Sequence, residues 1–173
     1  MKRFTLFLAM AALPGLAAAA PQVNFQGDVA TQTCQVTVNG ETNAVVVLPT
    51  VAVADFSGPG SAVGSTPFTI EGRDCPVSAG EQTFTVRYLG HNVTEEGNLG
   101  NLATGNAAGD TAISLLMKPG MVPGVPEHSY RDIKLAPGED SWDFTDEAQY
   151  VSEGGSPTAG KVTAVVEYVI TYH

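Results

Sequence analysis

Residues 160–173 read GKVTAVVEYVITYH. Val162, Ala164, Val166, Tyr168, Ile170 and Tyr172 fall at every second position, with Thr163, Val165, Glu167, Val169, Thr171 and His173 between them. A period of two marks a β-strand, whose successive side chains point to opposite faces. The segment therefore predicts a long strand over 161–172 with one wholly apolar face. It runs to the last residue with no following turn or return strand.

The rest of the chain repeats this grammar in shorter phrases. Val/Thr/Phe/Tyr-rich runs at 34–38, 44–48, 67–72, 83–89, 112–118, 133–135 and 149–152 read as further strands. Nineteen Gly and 11 Pro punctuate them. Turn-rich stretches at 57–65 (SGPGSAVGS), 95–109 (EEGNLGNLATGNAAG) and 154–160 (GGSPTAG) read as loops, because Gly and Asn tolerate positive φ and Pro cannot donate to a ladder. No window sustains a helical period. The pattern predicts an all-β sandwich.

The first residues carry a secretory leader. Lys2 and Arg3 precede an apolar run over 4–16 and the small-residue tract Ala17, Ala18, Ala19, Ala20, which predicts a signal peptide over 1–19. The run is too short for a span of about 20 residues. The mature chain is roughly 150 residues, one domain by length. The full chain has 8 Lys+Arg against 18 Asp+Glu, and the leader removes two of the cations. Such an acidic surface argues against nucleic acid and membrane insertion as partners. In a secreted protein two cysteines with no C-x-x-C, Cys34 and Cys75, read as one structural disulfide.

After the leader comes APQVNFQGDVATQTC, residues 20–34. Val23, Phe25, Gly27 and Val29 alternate with Asn24, Gln26 and Asp28, a second strand with one apolar face. By periodicity alone, this segment and 161–172 read first as ordinary strands of a closed sandwich.

The order of four pieces resembles the chaperone–usher pilins, the type 1 and P-like fimbrial subunits of Gram-negative bacteria. VNFQGDV before a Cys resembles the family's N-terminal extension, and PFTIEGRDCP the strand holding its second Cys. GDTAISLLMK is similar to its central strand. QYVSEGGSPTAG through VEYVITYH resembles its ending, with a penultimate tyrosine. The extension is short and the central strand lacks the usual glycine near Ala112, so both major rod and minor or adaptor positions stay open.

The resemblance implies an incomplete immunoglobulin-like β-sandwich lacking its last strand, with 20–33 as a donor-strand extension and 34–173 as the pilin domain. It implies that Val23, Phe25 and Val29 insert into a neighbour's groove, with Gly27 where the groove is too shallow for a side chain. Ala164, Val166, Tyr168, Ile170 and Tyr172 would line this chain's own groove, and the carboxylate of His173 would be held by a chaperone. The implied partners are a periplasmic chaperone, an outer-membrane usher and neighbouring subunits. The implied location is a cell-surface fimbrium, reached through the periplasm, with a role in adhesion. No cofactor is expected.

Nothing in the sequence points to an enzyme. G-x-S-x-G, H-E-x-x-H and nucleotide-loop motifs are absent. His91, His128 and His173 are isolated. Glu139, Asp140, Asp143, Asp146 and Glu147 lack the spacing of a calcium loop and read as a solvated edge. Asn92-Val93-Thr94 matches a glycosylation pattern of little weight in a bacterial protein. A free-standing periplasmic binding protein remains the contrasting reading, and it predicts a stable monomer.

Overall fold

The computed structural model describes residues 33–117, 122–124 (backbone alone) and 130–173. The leader, Val23, Phe25, Gly27, Val29 and His128 lie outside the described residues.

Nine strands are described: β1 Gln35–Val38, β2 Ser61–Arg73, β3 Gln82–Gly90, β4 Leu99–Gly100, β5 Ala112–Met117, β6 Val122–Gly124, β7 Tyr130–Leu135, β8 Trp142–Ser152 and β9 Val166–Tyr172. They form two sheets. One runs β1-β2-β8-β5-β4, with β6 on β5, and the other runs β7-β3-β9. Every described ladder is antiparallel. The inner faces follow from alternation. Phe84, Val86 and Tyr88 of β3 are buried against Phe68 and Ile70 of β2, Leu115 of β5 and Trp142 and Ala148 of β8. The architecture is an incomplete immunoglobulin-like sandwich, a half-barrel that does not close.

Local chemistry moves several strand ends away from the sequence expectation. β2 begins at Ser61, inside the stretch read as a loop. Its ladder with β8 shifts between Val63 and Thr66. Gly64 supplies the φ of +70° there, facing the side chains of Val51 and Tyr150, so the bulge lets a Gly/Ser-rich run stay laddered.

The strand expected over 161–172 starts its ladder only at Val166. Ahead of it, the loop after β4 takes the backbone bonds. Asn101 Nδ2 donates to Lys161 O at 2.8 Å, and its Oδ1 accepts from Thr163 N at 3.0 Å. Leu102 N donates to Thr163 O and Ala108 N to Lys161 O. The turn before this segment is fixed by Asp110. Its carboxylate accepts from Gly154 N, Ser156 N and the Ser152 hydroxyl, and these bonds hold its pKa below the usual carboxylate value.

Residues 44–48 also depart from expectation. They join no ladder, and residues 42–51 make no backbone–backbone hydrogen bond among the described residues. Val46 and Leu48 pack on the core, while Val45 and Val47 are 83% and 77% exposed.

The acidic cluster is not uniformly solvated. Glu139, Asp140 and Asp143 are exposed, but Asp146 is 1% exposed. It shares the parity of Trp142, Phe144 and Ala148 on β8 and so points into the core. Tyr88 OH donates to its Oδ2 at 2.8 Å, and Arg131 Nη2 donates to its Oδ1 at 2.5 Å. The guanidinium lies 4.5 Å from the Phe144 ring centre, and Phe144 stacks on Trp142. Burial, followed by the charge of Asp146, pushes the Tyr88 phenol far above its usual range.

Candidate functional site: the open side between β1 and β9

Both sheets end on the same side of the molecule. Among the described residues, β1 is the edge of the larger sheet and β9 pairs with β3 alone. Cys34 N donates to Tyr172 OH at 3.0 Å, and Tyr168 OH points at Val36 O at 3.5 Å. Chain order therefore runs in opposite directions along the two edges. Among the described residues, side-chain hydroxyls and no backbone ladder cross the gap between them.

The alternation of β9 decides what faces that gap. His91 N donates to Val165 O, and His173 N donates to Thr83 O. Odd-numbered residues thus spend their backbone groups on β3 and its continuation. In an antiparallel pair the intervening residues point theirs the other way. Val166, Tyr168, Ile170 and Tyr172 therefore present N–H and C=O groups to the open edge, while their side chains pack half-buried on the core. Ala164 and Val162 continue this face ahead of the ladder, also packed on the core. An apolar floor beside an unpaired strand edge is the physical requirement for accepting another strand. Burial raises the pKa of the Tyr168 phenol, so it stays protonated and able to donate.

Cys34 and Cys75 are joined by a disulfide, with Cα atoms 4.1 Å apart. It ties the residue before β1 to the chain just beyond β2, where Cys75 N also donates to Asp140 O at 2.8 Å. β1 is otherwise held by four residue pairs to β2, so the covalent link anchors one wall of the open side.

His173 is exposed, with its ring 3.0 Å from Thr85 Oγ1. That hydroxyl also donates to Asp132 Oδ1 at 2.7 Å. With Arg87, Tyr130 and Thr171 these residues line a shallow depression on the outer face of β7-β3-β9, where several polar groups already satisfy one another. His91 pairs with Glu167 at the surface, 3.2 Å away. Among the described residues no group of three or more His, Cys, Asp or Glu is placed to hold a metal ion, and no helix is long and apolar enough to cross a membrane.

The sequence reading missed the Arg131–Asp146 pair behind this region. The parity of Asp146 with Trp142 and Phe144 was the available signal for it.

Known proteins with the same organisation are fimbrial. The sequence model of the family described as "Fimbrial protein" matches residues 23–173. The F17 fimbrial protein of Escherichia coli is 33% identical over 160 residues, covering 87% of this chain and 86% of its own. The major fimbrial subunit SMF-1 of Stenotrophomonas maltophilia (strain K279a) is 31% identical over 174 residues, covering 95% and 99%. Among solved structures, an antigen and type I fimbria protein of Burkholderia pseudomallei superposes with a TM-score of 0.56 at 26% identity, covering 81% of this chain and 89% of that one. An unclosed sandwich with an apolar open side, matched over nearly its whole length by these proteins, places the chain in the fimbrial protein family, as a secreted, non-catalytic structural subunit of a chaperone–usher pilus.

Proposed function

We propose that this chain is a shaft subunit whose open side, between β1 and β9, takes the 20–33 segment of the next copy as an added strand. The observation that carries the reading is the state of β9. Among the described residues it is laddered on one edge only, with alternate apolar side chains half-buried beneath the other. Val23, Phe25 and Val29 would fill that floor. At about 1.5–3 kcal/mol for each side chain, their burial contributes roughly 5–9 kcal/mol. New ladder bonds to the outward-facing backbone groups of Val166, Tyr168, Ile170 and Tyr172 add about 0.5–1.5 kcal/mol net apiece. Gly27 would lie where a tyrosine hydroxyl crossing to β1 leaves no depth for a side chain. A slip of one residue would turn the apolar face to solvent. Before exchange, a chaperone strand would occupy the same side, with the His173 carboxylate as its anchor. The leader over 1–19 would be removed on export.

Support for the shaft position comes from coverage. The match takes in 95% of this chain and 99% of a relative named as a major fimbrial subunit.

Gly27→Leu tests the register. The variant is expected to co-purify with its chaperone and to form no pili visible by electron microscopy. Normal pili would overturn the register. Deletion of the chain tests the shaft position: loss of the whole shaft supports it, and loss of the tip alone overturns it.

A further inference from the structure

The open side poses a mechanical problem. The inner face of β9 is only half-buried among the described residues. Hydrophobic attraction has no preferred direction. Nothing in it stops β9 from sliding onto β1 and shutting the gap, and shutting would remove exposed apolar surface. An acceptor must resist that closure until a strand arrives.

The buried polar group sits where it can do so. The β2–β8 register sets Phe68 opposite Asp146, and the β3–β9 register sets Tyr88 opposite Tyr168. The rings of Phe68 and Tyr88 meet edge to face at 6.5 Å. One transverse slice of the sandwich thus holds Phe68, Asp146, Tyr88 and Tyr168. The last of these is the residue whose hydroxyl reaches toward β1. Arg131 joins the slice from β7, its side chain 17% exposed.

Apolar replacements of a buried ion pair are often as stable as the pair or more so. Stability alone therefore does not account for charge in this core. Charge-assisted hydrogen bonds differ from apolar contacts in fixing length and angle. The geometry points to Tyr88, Asp146 and Arg131 as positioning residues for strand acceptance. They hold β3, and through its ladder β9, at a set distance and register from β2 and β8, so that the open side keeps the width of one strand. This inference rests on the donor-strand reading of the open side.

The test uses the mature full-length chain, diluted from denaturant into native buffer with an excess of labelled peptide 20–33. Peptide capture is followed by anisotropy and folding by circular dichroism. The triple variant Tyr88→Phe, Arg131→Met, Asp146→Leu is expected to fold and to resist urea at least as well as the wild type once complemented. Its capture of peptide should slow by about tenfold, the loss expected if the open form falls to roughly a tenth of the population. Arg131→Lys, which keeps a charged donor, should capture closer to the wild-type rate. Capture by the triple variant at the wild-type rate overturns the inference. So does failure of the triple variant to fold, because the three residues would then serve folding itself. A wild-type chain that captures no peptide removes the donor-strand reading and this inference with it.

Discussion

The two long sides of the sandwich are held by different chemistry. On the side of β7 and β8, Tyr88, Asp146 and Arg131 cross the core with bonds of 2.8 and 2.5 Å, and Phe144 lies beneath the guanidinium. On the side of β1 and β9, one amide–hydroxyl bond of 3.0 Å and one marginal approach of 3.5 Å span the gap among the described residues. The first set is costly to break, because each member is desolvated. The second can be remade around an incoming strand. A subunit that must gain a strand without unfolding needs both, one side that stays put and one whose contacts are exchangeable.

The largest effect is expected where the closed side is unlocked. Asp146→Ala leaves Arg131 largely buried with its carboxylate gone and the Tyr88 hydroxyl without an acceptor. Losing one partner of a buried pair costs about 3–5 kcal/mol. Urea unfolding of the peptide-complemented subunit should show a loss of that size. A loss below about 1 kcal/mol would mean that water reaches the guanidinium and the two sides are alike.

The disulfide is the covalent hold on the open side. Cys34 and Cys75 are 41 residues apart, and opening a loop of that length costs about 3–4 kcal/mol in the chain-entropy model. Replacing both by Ser should lower stability by that amount. It should also distribute the damage unevenly. Amides of β1, left with a four-residue ladder, should exchange much faster, while those of β3 and β7 keep most of their protection. Equal acceleration in both sheets would show the sandwich to be one cooperative unit with no separable open wall.

Why some of this could be read from the sequence and some could not comes down to what a pattern encodes. Val166, Tyr168, Ile170 and Tyr172 alternate cleanly, and alternation is a property of the strand itself. Residues 83–89 were legible for the same reason. A ladder, by contrast, needs a neighbour. AVVVL at 44–48 has the composition of a strand, yet nothing in its sequence says that no described strand lies beside it. Residues 161–165 lost their place in β9 to Asn101, a side chain 60 positions away. Asp146 failed differently. Four flanking acids suggested a wet edge, and that density outweighed a parity that placed the residue inside. Arg131 carried no signal at all, since its role depends on a partner in another strand of the opposite sheet.

The smallest expected effects lie within the open side itself. Tyr172→Phe removes the acceptor of the Cys34 amide and keeps the ring, which packs edge to face on Phe84 at 5.1 Å. Cys34 is buried, so its N–H would lose its partner at a cost of about 1 kcal/mol. Tyr168→Phe gives up an approach of 3.5 Å, at the limit where a hydrogen bond contributes little, and should cost under about 0.5 kcal/mol. Urea midpoints of the two variants, each with and without bound peptide 20–33, read the difference. If the hydroxyls are spanning contacts that an added strand supersedes, the gap between the variants narrows once the peptide is bound. If the gap is unchanged, Tyr172 is a fixed strut, and the boundary between the locked and exchangeable sides moves to lie between Tyr172 and Tyr168.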